Sequence, residues 1–142
     1  MRVLFDTNVI LDVLWARAPH GEPATQLVDL VARKELDGVL GATSIITVFY
    51  LAQKAADGAA ARRHVSTLLG MFDIAAVTRQ VLAQAMTLRF ADYEDAVLHE
   101  AAHQSGCNAI VTRDTKGFSG SRLTLYQPVE LLKLLRAAHV PA

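Results

Sequence analysis

The run Val3-Leu4-Phe5 has no polar alternation and ends on Asp6. A strand with one face in water alternates apolar and polar side chains. A run that is apolar at every position instead suits a strand buried on both faces, as in a parallel sheet covered by helices. Asp6 stands where that strand should end, and in open α/β sheets ligands gather outside the carboxyl ends of the strands. The competing reading is a cap, because Asp6 and Thr7 are both good N-cap residues for a following helix. A second stretch of the same design favours the ligand-facing reading: Ala109-Ile110-Val111-Thr112-Arg113-Asp114 is again an apolar strand followed by an acid. Between the two lies Ala91-Asp92-Tyr93-Glu94-Asp95-Ala96, with three acids at the start of a helical pattern. Parallel neighbours would bring both strand ends and that helix start to one edge of the sheet.

Apolar spacing and turn residues set the expected order of elements. A helix is expected from Thr7 to Arg17, broken by Arg17-Ala18-Pro19-His20-Gly21. A second runs from Glu22-Pro23 to near Asp37-Gly38, and Val39-Leu40-Gly41-Ala42 is the second strand. Thr43 or Ser44 is expected to cap a helix from Ile45 to about Ala56. Its β-branched start (Ile45, Ile46, Thr47, Val48) favours strand locally, but its length and caps favour helix. Ala59 to Gly70 is the next helix, with Arg62-Arg63-His64 as a solvated face. A strand at Phe72 to Val77 is followed by a Thr78-capped helix through Leu88-Arg89. Asp92 caps a helix reaching Gln104, with Asp95 in the capping-box position. Strand Ala109 to Thr112, a polar loop from Arg113 to Arg122, strand Leu123 to Tyr126 and a helix from Pro128 to near Ala138 complete the chain. Five short strands alternating with helices predict a three-layer α/β/α sandwich around a central, mostly parallel five-stranded sheet with right-handed crossovers. Residues 1–142 are expected to form one domain.

Composition narrows the function classes. Of the 142 residues, 52% are hydrophobic and 20% charged, which excludes a disordered chain. Fourteen basic and fourteen acidic residues cancel, so any nucleic-acid contact has to come from a local patch. Neither a spanning helix nor a secretory leader is expected, because Arg2 and Asp6 bracket only a short apolar run. The single cysteine, Cys107, excludes an internal disulfide and fits a reducing cytoplasm. It is expected to pack before a buried strand rather than to react. Trp15, Phe49, Tyr50 and Leu51 read as core or as a dimer face, and Phe118 as a plug onto the core.

The acids point to a metal. Two unit charges 4 Å apart repel by about 4 kcal/mol at an effective dielectric near 20. A cluster of Asp6, Asp95 and Asp114 therefore calls for a cation, or for protonation of some of the acids. Magnesium and manganese take oxygen ligands of this type. Asp92 reads first as the helix cap, and Glu94 as either a further ligand or a solvated acid. Asn8 is placed to bond to a ligand water or to belong to the cap, and Arg113, Lys116 and Arg122 bracket the edge where phosphates would bind. His99 and His103 share a helix face at zinc-binding spacing but lack a third ligand, so core or solvated histidines are expected.

With these residues in place, the chain resembles the PIN domain family, the fold of VapC-type toxins and related metal-dependent ribonucleases. Leu4-Phe5-Asp6-Thr7-Asn8-Val9-Ile10-Leu11-Asp12 resembles its first motif, and Asp95-Ala96-Val97-Leu98-His99-Glu100-Ala101-Ala102 its third. Ile110-Val111-Thr112-Arg113-Asp114 with Phe118 resembles its fourth. The resemblance implies an endoribonuclease that uses magnesium or manganese and, as in the family's toxin members, the toxin half of a toxin–antitoxin pair. Asp6, Asp95 and Asp114 would be the catalytic acids and metal ligands, supplemented by Asp92 or Glu94. Asn8, Thr112, Arg113 and Lys116 would meet the RNA. It also implies an antitoxin whose C-terminal segment occupies the groove and, often, a homodimer. The family's second acid is usually a glutamate in the helix after the second strand, where this chain has Tyr50. A neutral phenol is no substitute for that carboxylate. This departure motivates the alternative, a weakly active or inactive PIN-like module that binds RNA or protein.

Overall fold

The computed structural model describes residues 1–138. In chain order, β1 (Arg2–Phe5) leads into α1 (Thr7–Leu14) and α2 (Gly21–Ala32), and β2 (Asp37–Gly41) into α3 (Ala42–Ala55) and α4 (Gly58–Met71). The chain continues through β3 (Asp73–Ala75), α5 (Arg79–Ala85), α6 (Tyr93–Gln104), β4 (Ala109–Val111), a 3-10 turn at Thr115–Phe118, β5 (Thr124–Tyr126) and α7 (Pro128–Ala138). The sheet has five strands in the order β3-β2-β1-β4-β5, and each neighbouring pair is parallel. β1 lies at the centre, with Val3, Leu4 and Phe5 all fully buried. Its side chains divide between two apolar clusters. Val3 and Phe5 join Leu27, Val31, Phe72 and Leu131 on one face, and Leu4 joins Val81, Val97, Leu98 and Ile110 on the other. Burial on both sheet faces is the property expected of the unalternated run.

The amino edge is tied together by one side chain. Arg2 pairs with Asp37 of β2 at 3.1 Å and Asp73 of β3 at 2.6 Å, and its Nε donates to the Ser105 carbonyl at 3.0 Å. The Arg2 guanidinium holds the Asp73 carboxyl below the usual carboxylate range.

Several boundaries differ from the expected ones, each for a local reason. α1 stops at Leu14, not Arg17, because Ala16 turns into the left-handed region at φ 47°. α2 ends at Ala32, Lys34 reverses the chain at φ 60°, and Asp37 and Gly38 open β2 rather than closing the helix. Neither Thr43 nor Ser44 caps α3, which begins directly after Gly41. The Ser44 hydroxyl is instead bonded to Thr7 Oγ1 at 2.7 Å. β3 is shorter than the expected Phe72 to Val77, and α5 stops at Ala85, where a turn begins with Thr87 N–H donating to the Gln84 carbonyl. The capping assignments of Thr78 and Asp92 hold: Thr78 accepts from Val81 N–H and Asp92 from Asp95 N–H. Trp15 and Tyr50 are exposed and Phe49 and Leu51 only half-buried, so these four are not core. Phe118 is fully buried against the edge of Phe90, and Cys107 is buried with its thiol pushed up to about 11, as packing requires. None of the described helices is long and apolar enough to cross a membrane.

Gly38 is required by close approach. A Cβ there would stand 2.7 Å from Val31 Cγ2 and 2.8 Å from the Phe72 ring. Gly38→Ala is therefore expected to destabilise the fold by about 1–3 kcal/mol through overpacking, measured by urea denaturation with the slope unchanged.

Candidate metal and phosphodiester site

The parallel register brings the ends of β1 and β4 side by side, with Phe5 opposite Val111. Asp6 and Thr112 are therefore the first residues past the sheet on adjacent strands. Thr112 is fully buried, and its hydroxyl donates to Asp6 Oδ2 at 2.8 Å and accepts the Asp114 N–H at 3.0 Å. One side chain thus sets the position of two acids. Asp6 Oδ1 accepts the Thr7 N–H at 2.7 Å, so the carboxylate caps α1 as well as facing the edge. The two readings of Asp6 turn out to be compatible.

Asp114 caps the 3-10 turn, its Oδ1 accepting the Gly117 N–H at 3.1 Å. Asp92 caps α6 by accepting the Asp95 N–H, and Asp95 stands in the first turn with Glu94. A Cβ on Gly117 would lie 2.6 Å from Asp114 Oδ2 and 3.1 Å from Asp95 Oδ2. The missing side chain leaves a cradle on which two carboxylate oxygens from different elements converge. Among the described residues, none of Asp6, Asp92, Glu94, Asp95 and Asp114 forms a salt bridge.

The titration behaviour follows from this crowding. Burial, together with the charges of Asp6, Asp92, Asp114 and Glu94, pushes the Asp95 carboxyl up to about 6. Burial also raises Asp6, opposed by the hydrogen bonds from Thr112 and Thr7 and assisted by the charges of Asp114 and Glu94. Among the described residues, no three acidic, histidine or cysteine side chains already stand at metal-enclosing spacing. The edge is open rather than caged. Magnesium-type ions keep several waters and bind through one or two carboxylates, so an open set of hard oxygens with no protein cation fits them.

The remaining expected site residues divide. Lys116 is exposed in the 3-10 turn that Asp114 caps. Thr112 is corrected: a buried hydroxyl that already donates and accepts positions the acids and does not reach substrate. Asn8 also belongs to the frame, its Nδ2 donating to Asp6 Oδ2 at 3.3 Å and its Oδ1 accepting the Arg113 N–H at 3.4 Å. The Nε of Arg113 lies 2.6 Å from the buried carboxylate of Asp12, an ion pair by distance. Arg122 is drawn off the edge, pairing with the buried Glu100 at 3.0 Å while its N–H donates to His99 Nε2. His99 is therefore a buried anchor for that loop. Tyr50 is exposed with Lys54 stacked 5.0 Å from its ring. It lies six residues beyond Ser44, about 9 Å along α3 at 1.5 Å per residue. α3 contains no acid at all, so Glu94 is the further carboxylate whose charge reaches Asp6 and Asp95.

Two residues escaped the sequence reading. Gly117 carries no signal of its own within the polar loop from Arg113 to Arg122, and only the positions of Asp95 and Asp114 reveal its role. Asp12 was legible in principle, since an acid enclosed by Val9-Ile10-Leu11 and Val13-Leu14 should be buried and paired.

Comparison with known proteins bears on the family and the fold. A family model described as PIN domain matches residues 2–116. Ribonuclease VapC1 of Aquifex aeolicus (strain VF5) is 24% identical over 123 residues, covering 83% of this chain and 85% of its own length. A toxin–antitoxin complex from Klebsiella pneumoniae contains a chain that superposes with a TM-score of 0.69 at 22% identity, over 89% of this chain and 97% of that one. Mycobacterium tuberculosis VapC20, described as a sarcin–ricin loop cleaving toxin, superposes at 0.59 and 16% identity, over 76% and 86%. At these identities the solved structures bear on the fold alone.

The raised Asp95 carboxyl has a consequence for stability. Between about pH 4, the ordinary carboxyl value, and pH 6 the folded state binds this proton more tightly than the unfolded chain. Ionised Asp95 thus costs stability above pH 6, and the cost fades as the pH falls towards 4. In metal-free buffer, Asp95→Asn should raise the melting temperature at pH 7.5 and leave it nearly unchanged at pH 4, as followed by circular dichroism.

Proposed function

Because the chain belongs to the PIN domain family, we propose that it is a magnesium- or manganese-dependent endoribonuclease, the toxin of a toxin–antitoxin pair, which hydrolyses RNA phosphodiester bonds at the carboxyl edge of its sheet. The observation that carries the reading is the convergence of Asp95 and Asp114 on the Gly117 cradle, with Asp6 fixed in the same frame by Thr112 and, among the described residues, no basic side chain paired with any of them. Asp6, Asp95 and Asp114 would hold the metal, with Glu94 as a supplement and Asp92 retained as the helix cap. When bound, such an ion polarises a phosphate oxygen and lowers the pKa of water. The chain's own contribution is positional. Thr112 keeps Asp6 aimed outward, the Gly117 turn keeps Asp114 facing Asp95, and Lys116 meets the substrate phosphate. Support for ribonuclease chemistry comes from the similarity to ribonuclease VapC1, and for an antitoxin partner from the Klebsiella pneumoniae complex.

A homodimer is part of the same proposal. Ile46 of α3, Leu82 of α5 and Tyr93 of α6 are all exposed and line one shallow cleft, with Tyr50 exposed on α3 and Met86 exposed just past the end of α5. An exposed apolar surface of this kind marks a protein contact. The absence of any acid from α3 favours one alternative, an RNA-binding module with little or no turnover.

Wild-type protein should cleave single-stranded or structured RNA only when manganese or magnesium is present. Asp6→Asn and Asp114→Asn should lower the rate at least about a hundredfold, with the circular dichroism spectrum retained. RNA binding by folded wild-type protein without cleavage in saturating manganese would establish the non-catalytic alternative. Separately, Ile46→Glu should convert a dimer into a monomer in light scattering.

A further inference from the structure

The buried carboxylate of Asp12 faces two arginines. Arg113 Nε lies 2.6 Å from Oδ2 and Arg17 Nε 3.1 Å from Oδ1, while Asp12 itself is 0% exposed. These are ion pairs by distance and not aligned hydrogen bonds, since neither carboxylate oxygen nor either Nε has a hydrogen-bond partner. Both Nε atoms are shut off from solvent, yet the Arg17 and Arg113 side chains remain 41% and 31% exposed. The open surface of each is therefore its outer part. Arg2 and Arg122 behave differently, spending their terminal Nη groups on carboxylates. One carboxylate against two guanidiniums leaves the trio net positive, in a chain whose overall charge is zero. The trio adjoins the acid edge, because Arg113 directly precedes Asp114 and its N–H reaches Asn8 Oδ1. Arg113 also borders a cleft of about 330 Å³ walled by Pro19, Pro23 and Pro128, with His20 and Gln127 at its rim. Arg17 lies over the exposed Trp15 ring, 5.3 Å from its centroid, which restricts the guanidinium on a second side.

We propose that Arg17 and Arg113 form a phosphodiester-binding subsite, aimed by the buried Asp12, that holds the RNA backbone beside the acid cluster while the proline-walled cleft takes the adjoining nucleoside. The proposal rests on the RNA-directed reading above. Its chemistry is that of guanidinium groups, whose fork of donors matches phosphate oxygens and whose charge supplies the local attraction that the neutral chain lacks. A subsite of this kind orients the strand without reading its sequence. It also places positive charge next to carboxylates that would otherwise repel the substrate.

The test is the binding of a fluorescein-labelled single-stranded RNA, measured by anisotropy over a range of salt concentrations. Calcium replaces magnesium, and gel electrophoresis confirms that the strand stays intact. Arg17→Gln should weaken binding about three- to tenfold and lower the salt slope by about 0.7, the loss of one phosphate contact on a single strand. Arg62→Gln, on the solvated face of α4, should leave both unchanged. His20→Glu changes an exposed residue that makes no side-chain cap, so it tests the same surface should Arg17→Gln fail to fold, and it should weaken binding severalfold. Unchanged affinity and slope in the folded variants would overturn the subsite, as would a wild-type protein that binds no RNA. Arg17-dependent binding without manganese-dependent cleavage would sustain the subsite and remove the nuclease reading.

Discussion

β1 is buried on both faces at the centre of the sheet, and that single constraint orders the molecule. No residue of β1 between Arg2 and Asp6 has room for a charge, since Val3, Leu4 and Phe5 are each 0% exposed. Unpaired charge is costly in such an interior, so polar function is displaced to the strand ends. At the amino end, Arg2 ties β1 to β2 and β3 through carboxylates of opposite sign. At the carboxyl end, acids of the same sign meet with no basic partner among the described residues. The two edges therefore differ in kind: one is closed by ion pairs, and the other stays electrostatically open.

The open edge is held in place by neutral donors. The Thr112 hydroxyl, the Thr7 N–H, the Asn8 amide and the Gly117 N–H all address carboxylates or their backbone without bringing in positive charge. Donors of this type fix geometry while leaving the acids able to attract a cation. The rise of Asp95 to about 6 expresses the same condition, because a carboxyl crowded by others and partly buried gives up its proton reluctantly. The nearest arginine, Arg113, does not relieve the crowding. Its Nε is ion-paired with Asp12 instead, so the positive charge lies beside the acids rather than among them.

Much of this was legible in the sequence. Unalternated apolar runs gave the parallel sheet, and the acids at the ends of two of them gave Asp6 and Asp114. Thr78 and Asp92 were readable as caps because their hydrogen bonds are local. The errors concern contacts between distant residues. Ser44 looked like a cap until α3 brought it to Thr7, and Thr112 and Asn8 looked like substrate ligands until the β1–β4 register made each a brace for Asp6. Arg113 appeared free beside the metal edge because its partner, Asp12, lies about a hundred residues away in sequence. Tyr50, expected at the position of the family's second acid, stands exposed with Lys54, well along α3 from the bonded contact at Ser44.

The central claim is that the crowded acids at the carboxyl edge form a divalent-cation site. The most direct test is calorimetric titration of manganese into the metal-free protein at pH 6 and pH 8, in two buffers of different ionisation enthalpy. Binding accompanied by proton release at pH 6, with little or none at pH 8, is the predicted result, because the Asp95 proton is half-occupied near pH 6 and must leave as the cation binds. Folded protein that binds no manganese at either pH would contradict the account.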